Sequence, residues 1–284
     1  MTPYTLNLHG RPIAFGRPAV MGILNATPDS FYGGSRAFDE EAVAARARSL
    51  VADGADIIDI GACSTRPGAE TVDADEERRR LAFAIAAVRS AVGSDIPLSV
   101  DTFRASVAAF AVEECGADIV NDIAGGTLDP DMFATVARLR VPYVLMHMRG
   151  TPATMQTLTD YPTGVTAGVI AELSHSIAVL EELGVADIIV DPGFGFAKTL
   201  EQNYELLAQL QAFDIFGRPV LVGVSRKSMF TKLLDVTADD ALAATVAAGT
   251  LAVERGAAIL RVHDPRAARH SIAVTEAMNK YANL

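Results

Sequence analysis

After residue 18, apolar runs rich in Val, Ile and Leu recur eight times, at about 19–25, 56–62, 97–101, 118–123, 142–147, 187–191, 219–225 and 257–263. Each run is short, and near-continuous apolarity implies burial on both faces, as in a parallel sheet. Between the runs, apolar residues fall at the three- and four-residue spacing of helices. DEEAVAARARSLVADG (39–54) begins with acidic residues and has Gly54 just past its end, as helix termini prefer. DPDMFATVARLR (129–140) has the same helical spacing. Eight β–α units of about 30 residues each predict a closed (β/α)8 TIM barrel. An open doubly wound sheet should carry GxGxxG after its first strand; here that strand runs into NATPDSFYGG. Residues 4–18 form two alternating segments around His9-Gly10, which predicts an N-terminal β-hairpin closing the barrel floor.

At 284 residues, half of them hydrophobic, the chain can bury one large core. No linker or shift in composition divides it, so residues 1–284 are expected to form one domain, with 1–18 as its hairpin. A net charge of −11 argues against a nucleic-acid partner, which needs a clustered basic surface. A small anionic substrate is compatible, because a few local cations can focus the field of a cleft. Two cysteines, Cys63 and Cys115, make no disulfide framework. The N-terminus lacks a basic segment followed by an apolar one, and no apolar stretch approaches the roughly 20 residues of a membrane span. A cytoplasmic enzyme is expected.

Each apolar run ends on chemistry-bearing residues: Asn25, Thr65 with Arg66, Asp101, Asn121, His147, Asp191, Arg226 with Lys227, and His263. In a parallel α/β barrel these ends converge on one mouth, where ligands bind. Every motif also has a plainer reading. Asn25 in NATPDSF suits an Asx turn, and Asp101 or Thr102 could cap a helix. His147, between Met146 and Met148, is more ordinary as a core histidine than as a ligand. The paired glycines of NDIAGG (121–126) permit a tight turn or a close approach of backbone to ligand. Arg66 beside the hydroxyls of ACSTRPGAE (62–70), the SRKS cluster (225–228) and RVHD (261–264) supply cations suited to anion binding. No HExxH or Cys/His spacing points to zinc, no GxxxxGK[ST] to an NTPase and no GxSxG to a serine hydrolase.

NATPDSF, STRPGAE, NDIAGG, LMHMRGTPATMQ, DPGFGFAK, SRKS and RVHD, in this order from about Val20 to the last helix, resemble bacterial dihydropteroate synthase. The resemblance implies condensation of 6-hydroxymethyl-7,8-dihydropterin diphosphate with 4-aminobenzoate in folate biosynthesis. It implies that Asp101, Asn121, Asp191 and Lys227 hold the pterin, with Met146 and Phe196 near its faces or mouth. Asn25, Arg66, Arg261 and His263 would take the diphosphate, Asn25 helping to bind Mg²⁺. Phe31, Thr65, Pro67, Phe196 and Ser228 would form the aminobenzoate pocket, in which sulfonamides compete. Asp101, Lys227 and Arg66 carry the expected catalytic roles in an SN1-like reaction. A homodimer through helices at about 238–255 and 266–281 is also implied. Three positions depart from the family pattern: Cys63 stands where Glu is usual, Ala124 where Ser is, and Ala197 where Gly is. The competing readings are a pterin-binding methyltransferase acting on methyltetrahydrofolate and a non-catalytic pterin-binding protein.

Overall fold

The computed structural model describes residues 3–26, 39–63 and 72–282. The hairpin pairs β1 (Tyr4–Leu8) with β2 (Arg11–Phe15) in antiparallel register, Leu8 opposite Arg11. His9 and Gly10 both take positive φ, 51° and 82°. Two such residues make the type I′ turn whose twist matches that of the strands.

Eight parallel strands follow: β3 (Ala19–Asn25), β4 (Ile57–Gly61), β5 (Leu98–Asp101), β6 (Ile119–Asp122), β7 (Tyr143–Met146), β8 (Ile188–Asp191), β9 (Leu221–Val222) and β10 (Ile259–Val262). They neighbour one another in the order β8-β7-β6-β5-β4-β3-β10-β9. A single parallel bridge, Val190 to Val220, brings β9 onto β8 and nearly closes the ring.

The helices between them are α1 (Glu40–Ala52), α2 (Ala74–Val92), α3 (Ala105–Glu113), α4 (Met132–Leu139), α5 (Val165–Glu182), α6 (Leu200–Ala208), α7 (Ser228–Leu234), α8 (Leu242–Glu254) and α9 (Pro265–Tyr281). The (β/α)8 barrel expected from the pattern is therefore present. Both helices read from spacing form, and Asp39 caps α1 by accepting from the Ala42 N–H at 3.1 Å.

Alternation along the strands makes two cores. Outward residues such as Val20, Leu24, Ile58, Ile60, Val100 and Val120 pack under the helices. Inward residues at the strand starts, including Met21, Ile57, Ile119, Val144, Ile189 and Ile259, form a lower plug with Leu6 and Leu8 of the hairpin. The hairpin thus covers the floor. His9 Nε2 lies 3.0 Å from the Ala117 carbonyl, and the Asp187 carboxylate accepts from the Asn7 N–H at 3.1 Å. With the lower barrel filled, the inward positions left for polar groups lie in its middle and at the carboxyl ends of the strands.

Candidate active site

Strand register lays the first polar row. Asn25 stands opposite Gly61, Gly61 opposite Asp101, and Asp101 opposite Asn121, on four consecutive strands. Across the mouth, Met146 pairs with Asp191. Arg261 enters from β10 and His263 lies just beyond it. Gly61 keeps the first row open: a Cβ there would lie 3.7 Å from Asp101 Oδ2 and 3.8 Å from Asn25 Oδ1.

Arg261 ties the row together. Its Nε donates to Asp59 Oδ2 at 2.7 Å and an NH2 nitrogen donates to Asp101 Oδ2 at 2.6 Å. Burial works against its charge, but Asp59 and Asp101 outweigh this and hold the guanidinium above its ordinary pKa. Burial also raises the Asp101 carboxyl to about 7, with Arg261 opposing the rise and Asp59 adding to it. Asp191 is raised by burial and lowered by Lys227. Lys227 is brought down by burial to about 8, with Asp191 supporting its charge. A cleft that pulls carboxylate and ammonium values toward neutrality is a common setting for catalysis.

His263 is held by Ser225, whose Oγ lies 3.0 Å from its Nδ1. Burial and then Arg261 lower the imidazole to about 4, so it is neutral at pH 7. Lys227 donates to the Phe194 carbonyl and stands 4.7 Å over the Phe196 ring. Ser228, next in sequence, is exposed at the start of α7. Phe196, Met146, Met148, Ile123 and Met155 form a separate apolar cluster at the mouth. One wall is therefore apolar and polarizable, and the floor beside it is a polar network.

The loop after β8 is pinned from several sides. Asp191 Oδ1 accepts from the Gly193 N–H at 2.8 Å, and the Gly195 N–H donates to Asn203 at 2.6 Å. Gly193 has φ 71°, and a Cβ there would lie 2.0 Å from the His147 carbonyl oxygen, so this close approach requires glycine. Lys198, 3% exposed, donates to the carbonyls of Gly193 and Phe196, both at 2.9 Å, and lies 3.0 Å from His147 Nδ1. His147 reaches Glu172 through Nε2 at 3.1 Å. Its environment is that of a core histidine bracing the loop. Ala197, where the family pattern has Gly, takes a left-handed φ of 49°. For a residue with a Cβ this costs about 1 kcal/mol.

Of the residues singled out from sequence, Asn25, Asp101, Asn121, Met146, Asp191, Phe196, Lys227, Ser228, Arg261 and His263 are described, and all lie at or beyond the strand ends. Phe31, Thr65, Arg66 and Pro67 lie outside the described residues. The capping alternative for Asp101 fails, because the first turn of α3 takes its acceptors from Thr102 and Asp129. The SRKS cluster is less cationic than it reads. Arg226 is turned onto Asp264, at 2.9 and 3.1 Å, and onto Asp239. Asp122, adjacent to Asn121, faces away and is spent on the Ala124 and Gly126 N–H groups and the Tyr143 hydroxyl. Cys63, half-buried, has its thiol pushed up by burial and then by Glu77, so it does not substitute for an ionised carboxylate.

Asp59 and Ser225 were missed. Asp59 had a sequence signal: a lone carboxylate inside the apolar run IIDIG must find buried partners. Ser225 had none, because its role depends on the spacing between β9 and β10.

Residues 21–263 match the model of the family described as pterin binding enzyme. The chain is 46% identical over 266 residues to a dihydropteroate synthase of Synechocystis sp., covering 92% of this chain and 90% of that one. It also resembles the solved dihydropteroate synthase of Yersinia pestis in complex with a sulfonamide drug (36% identity, TM-score 0.89), covering 98% of this chain and 100% of that chain. The Xanthomonas albilineans dihydropteroate synthase, solved with 4-aminobenzoic acid, is 39% identical with a TM-score of 0.88, covering 98% of this chain and 99% of that one.

Proposed function

The chain belongs to the family of pterin binding enzymes, and we propose that residues 1–284 act as a single domain that makes 7,8-dihydropteroate. It condenses 6-hydroxymethyl-7,8-dihydropterin diphosphate with 4-aminobenzoate and releases diphosphate. The observation that carries this reading is the continuous hydrogen-bonded network of Asp101, Asn121, Asp59 and Arg261, alongside the apolar cluster that holds Met146 and Phe196.

A pterin edge presents ring N–H and amino donors beside a carbonyl acceptor. Carboxylates accept and ammonium groups donate, so Asp101, Asn121 and Asp191 take the donors and Lys227 gives to the acceptor. Met146 and Phe196 pack near the ring. The diphosphate lies toward Arg261, His263 and Asn25, with Arg66 contributing from the next loop. Phe31, Thr65, Pro67, Phe196 and Ser228 receive the aminobenzoate, the pocket for which sulfonamides would compete.

The exposed Asn25 carboxamide is a hard oxygen donor beside the opening that Gly61 leaves. That fits Mg²⁺, which takes few protein ligands and is otherwise held by phosphate and water. When bound, Mg²⁺ supplies neutralisation of diphosphate charge. The protein's own part is to orient the pterin and oppose charge in the right place. Arg66, Arg261 and His263 favour departure of the diphosphate by breaking the C–O bond to the pterin methylene. Asp101 stabilises the positive charge left on the ring and methylene. The aminobenzoate nitrogen then attacks the methylene carbon and loses its proton, with no strong protein base required.

A homodimer remains part of this proposal. Leu242 and Leu251 on α8 and Val274 and Met278 on α9 are between 36% and 63% exposed, although the two helices pack together. Among the described residues, no helix is long and apolar enough to cross a membrane.

Purified protein with Mg²⁺ and both substrates is expected to release diphosphate only when both are present. Silence beside an active control enzyme would refute the reading. The pH profile gives a second test. Asp101 must be charged, which favours pH above about 7, and Lys227 must be protonated, which favours pH below about 8. kcat/KM is therefore expected to trace a narrow bell whose limbs belong to the coupled site. Asp101→Asn should remove the acid limb and lower the maximum, whereas a flat profile in the wild type would contradict these roles.

A further inference from the structure

Asp59 is fully buried in the middle of β4, with Ile23 and Ser99 as its neighbours in register. Its Oδ2 accepts from Asn121 Nδ2 at 3.1 Å and from Arg261 Nε at 2.7 Å. Its Oδ1 has no hydrogen-bond partner among the described residues. Asp122, the buried carboxylate at the adjacent strand end, differs in kind, because both of its oxygens are satisfied by the loop and by Tyr143. Asp59 is committed through one oxygen to two side chains of the site.

We propose that Asp59 is a positioning residue that sets the pterin selectivity of the site by fixing which way the Asn121 carboxamide faces. A carboxylate paired with Arg261 can only accept, so Asn121 must turn its NH2 toward Asp59. The reversed amide would set oxygen against oxygen in a buried place. The Asn121 carbonyl oxygen is thereby presented away from Asp59 and becomes an acceptor for the ligand. With Asp101 and Asp191 it makes a set of acceptors answered by one donor, Lys227. That set suits a ring edge with several N–H donors beside one carbonyl, and it rejects a ring whose donors and acceptors are exchanged. The same Asp59 oxygen holds Arg261, whose guanidinium bridges to Asp101. This inference rests on the reading of the site as a pterin site and adds the group that gives it direction.

Two substitutions and a pair of ligands test it. Because one oxygen of Asp59 serves both Arg261 and Asn121, Asp59→Asn keeps an acceptor in that place, with Arg261 holding the amide oxygen inward. It is expected to bind 6-hydroxymethylpterin within about threefold of wild type by calorimetry. Asp59→Leu removes the acceptor at similar volume, so the Asn121 amide is no longer held, and it is expected to bind the pterin about tenfold or more weakly. It should also lose most of the preference for the pterin over the analogue in which oxygen replaces the ring amino group. Wild-type preference in Asp59→Leu would overturn the proposal. So would loss of thermal stability in Asp59→Leu with no loss of pterin preference, since that is what a purely structural contact would give. So would a loss in Asp59→Asn as large as in Asp59→Leu. If Asp59→Leu does not fold, Asp59→Ala removes the same acceptor and is read in its place. If the wild type itself binds no pterin, the functional reading has failed rather than the role of Asp59.

Discussion

Asp191→Ala is expected to abolish pterin binding, with affinity falling by about three to four orders of magnitude as followed by calorimetry. Asp191 is 6% exposed and is the carboxylate that supports the Lys227 charge. Removing it takes away the acceptor for the ligand's donors and leaves a buried ammonium without its partner. Burial already lowers Lys227 to about 8. Without Asp191 it falls further and ceases to be a dependable donor at neutral pH, so one substitution damages both sides of the recognition. Asp191 also accepts from the Gly193 N–H, so unfolding should be measured in parallel, with Asp191→Asn as the shape-preserving control. Arg66→Ala should spare pterin affinity and depress turnover, because Arg66 is assigned to the leaving group. Equal loss of pterin affinity in both variants would contradict that division of labour.

Arg261→Ala has the second largest expected effect, and it acts on stability as well as on chemistry. Arg261 is the cation shared by Asp59 and Asp101. Its loss leaves the buried Asp59 carboxylate and the partly buried Asp101 carboxylate without their shared cation. Breaking a buried pair by removing one partner costs about 3–5 kcal/mol, measurable by urea denaturation near neutral pH. Turnover should fall by about 10³, because charge on the departing diphosphate goes unanswered. Arg261→Lys should recover part of the stability and little of the turnover, since a point charge cannot span both carboxylates as the guanidinium fork does. A fully stable, fully active Arg261→Ala protein would show that Arg261 neither compensates Asp59 and Asp101 nor answers the diphosphate charge.

Much of the barrel was legible because burial on both faces leaves a strong trace: eight apolar runs separated by helical spacing. The hairpin was legible from its His9-Gly10 turn. Length was less so. The run at 219–225 yields only a two-residue strand, Leu221–Val222, with Val220 reaching β8 through one bridge. The polar strand ends were legible as a set because the fold gathers them whatever their partners. Partners were not legible. Arg226 and Lys227 are adjacent in sequence, yet Arg226 is folded outward onto Asp264 and only Lys227 reaches the Asp191 side. Asp59 was hidden inside a strand, and its importance depends on Arg261, two hundred residues away in sequence. His147 fits the strand-end pattern, but its neighbours Lys198 and Glu172 give it a bracing task beneath the β8 loop.

Strand-end groups from opposite sides of the barrel are expected to read a single pterin. A crystal structure with a pterin and an aminobenzoate analogue tests it most directly. Asp101, Asn121, Asp191 and Lys227 should all lie within hydrogen-bond reach of the same ring, with the Asn121 oxygen facing it and the aminobenzoate toward Ser228. A pterin seated elsewhere, or one that leaves Asn121 and Asp191 without contact, would contradict it.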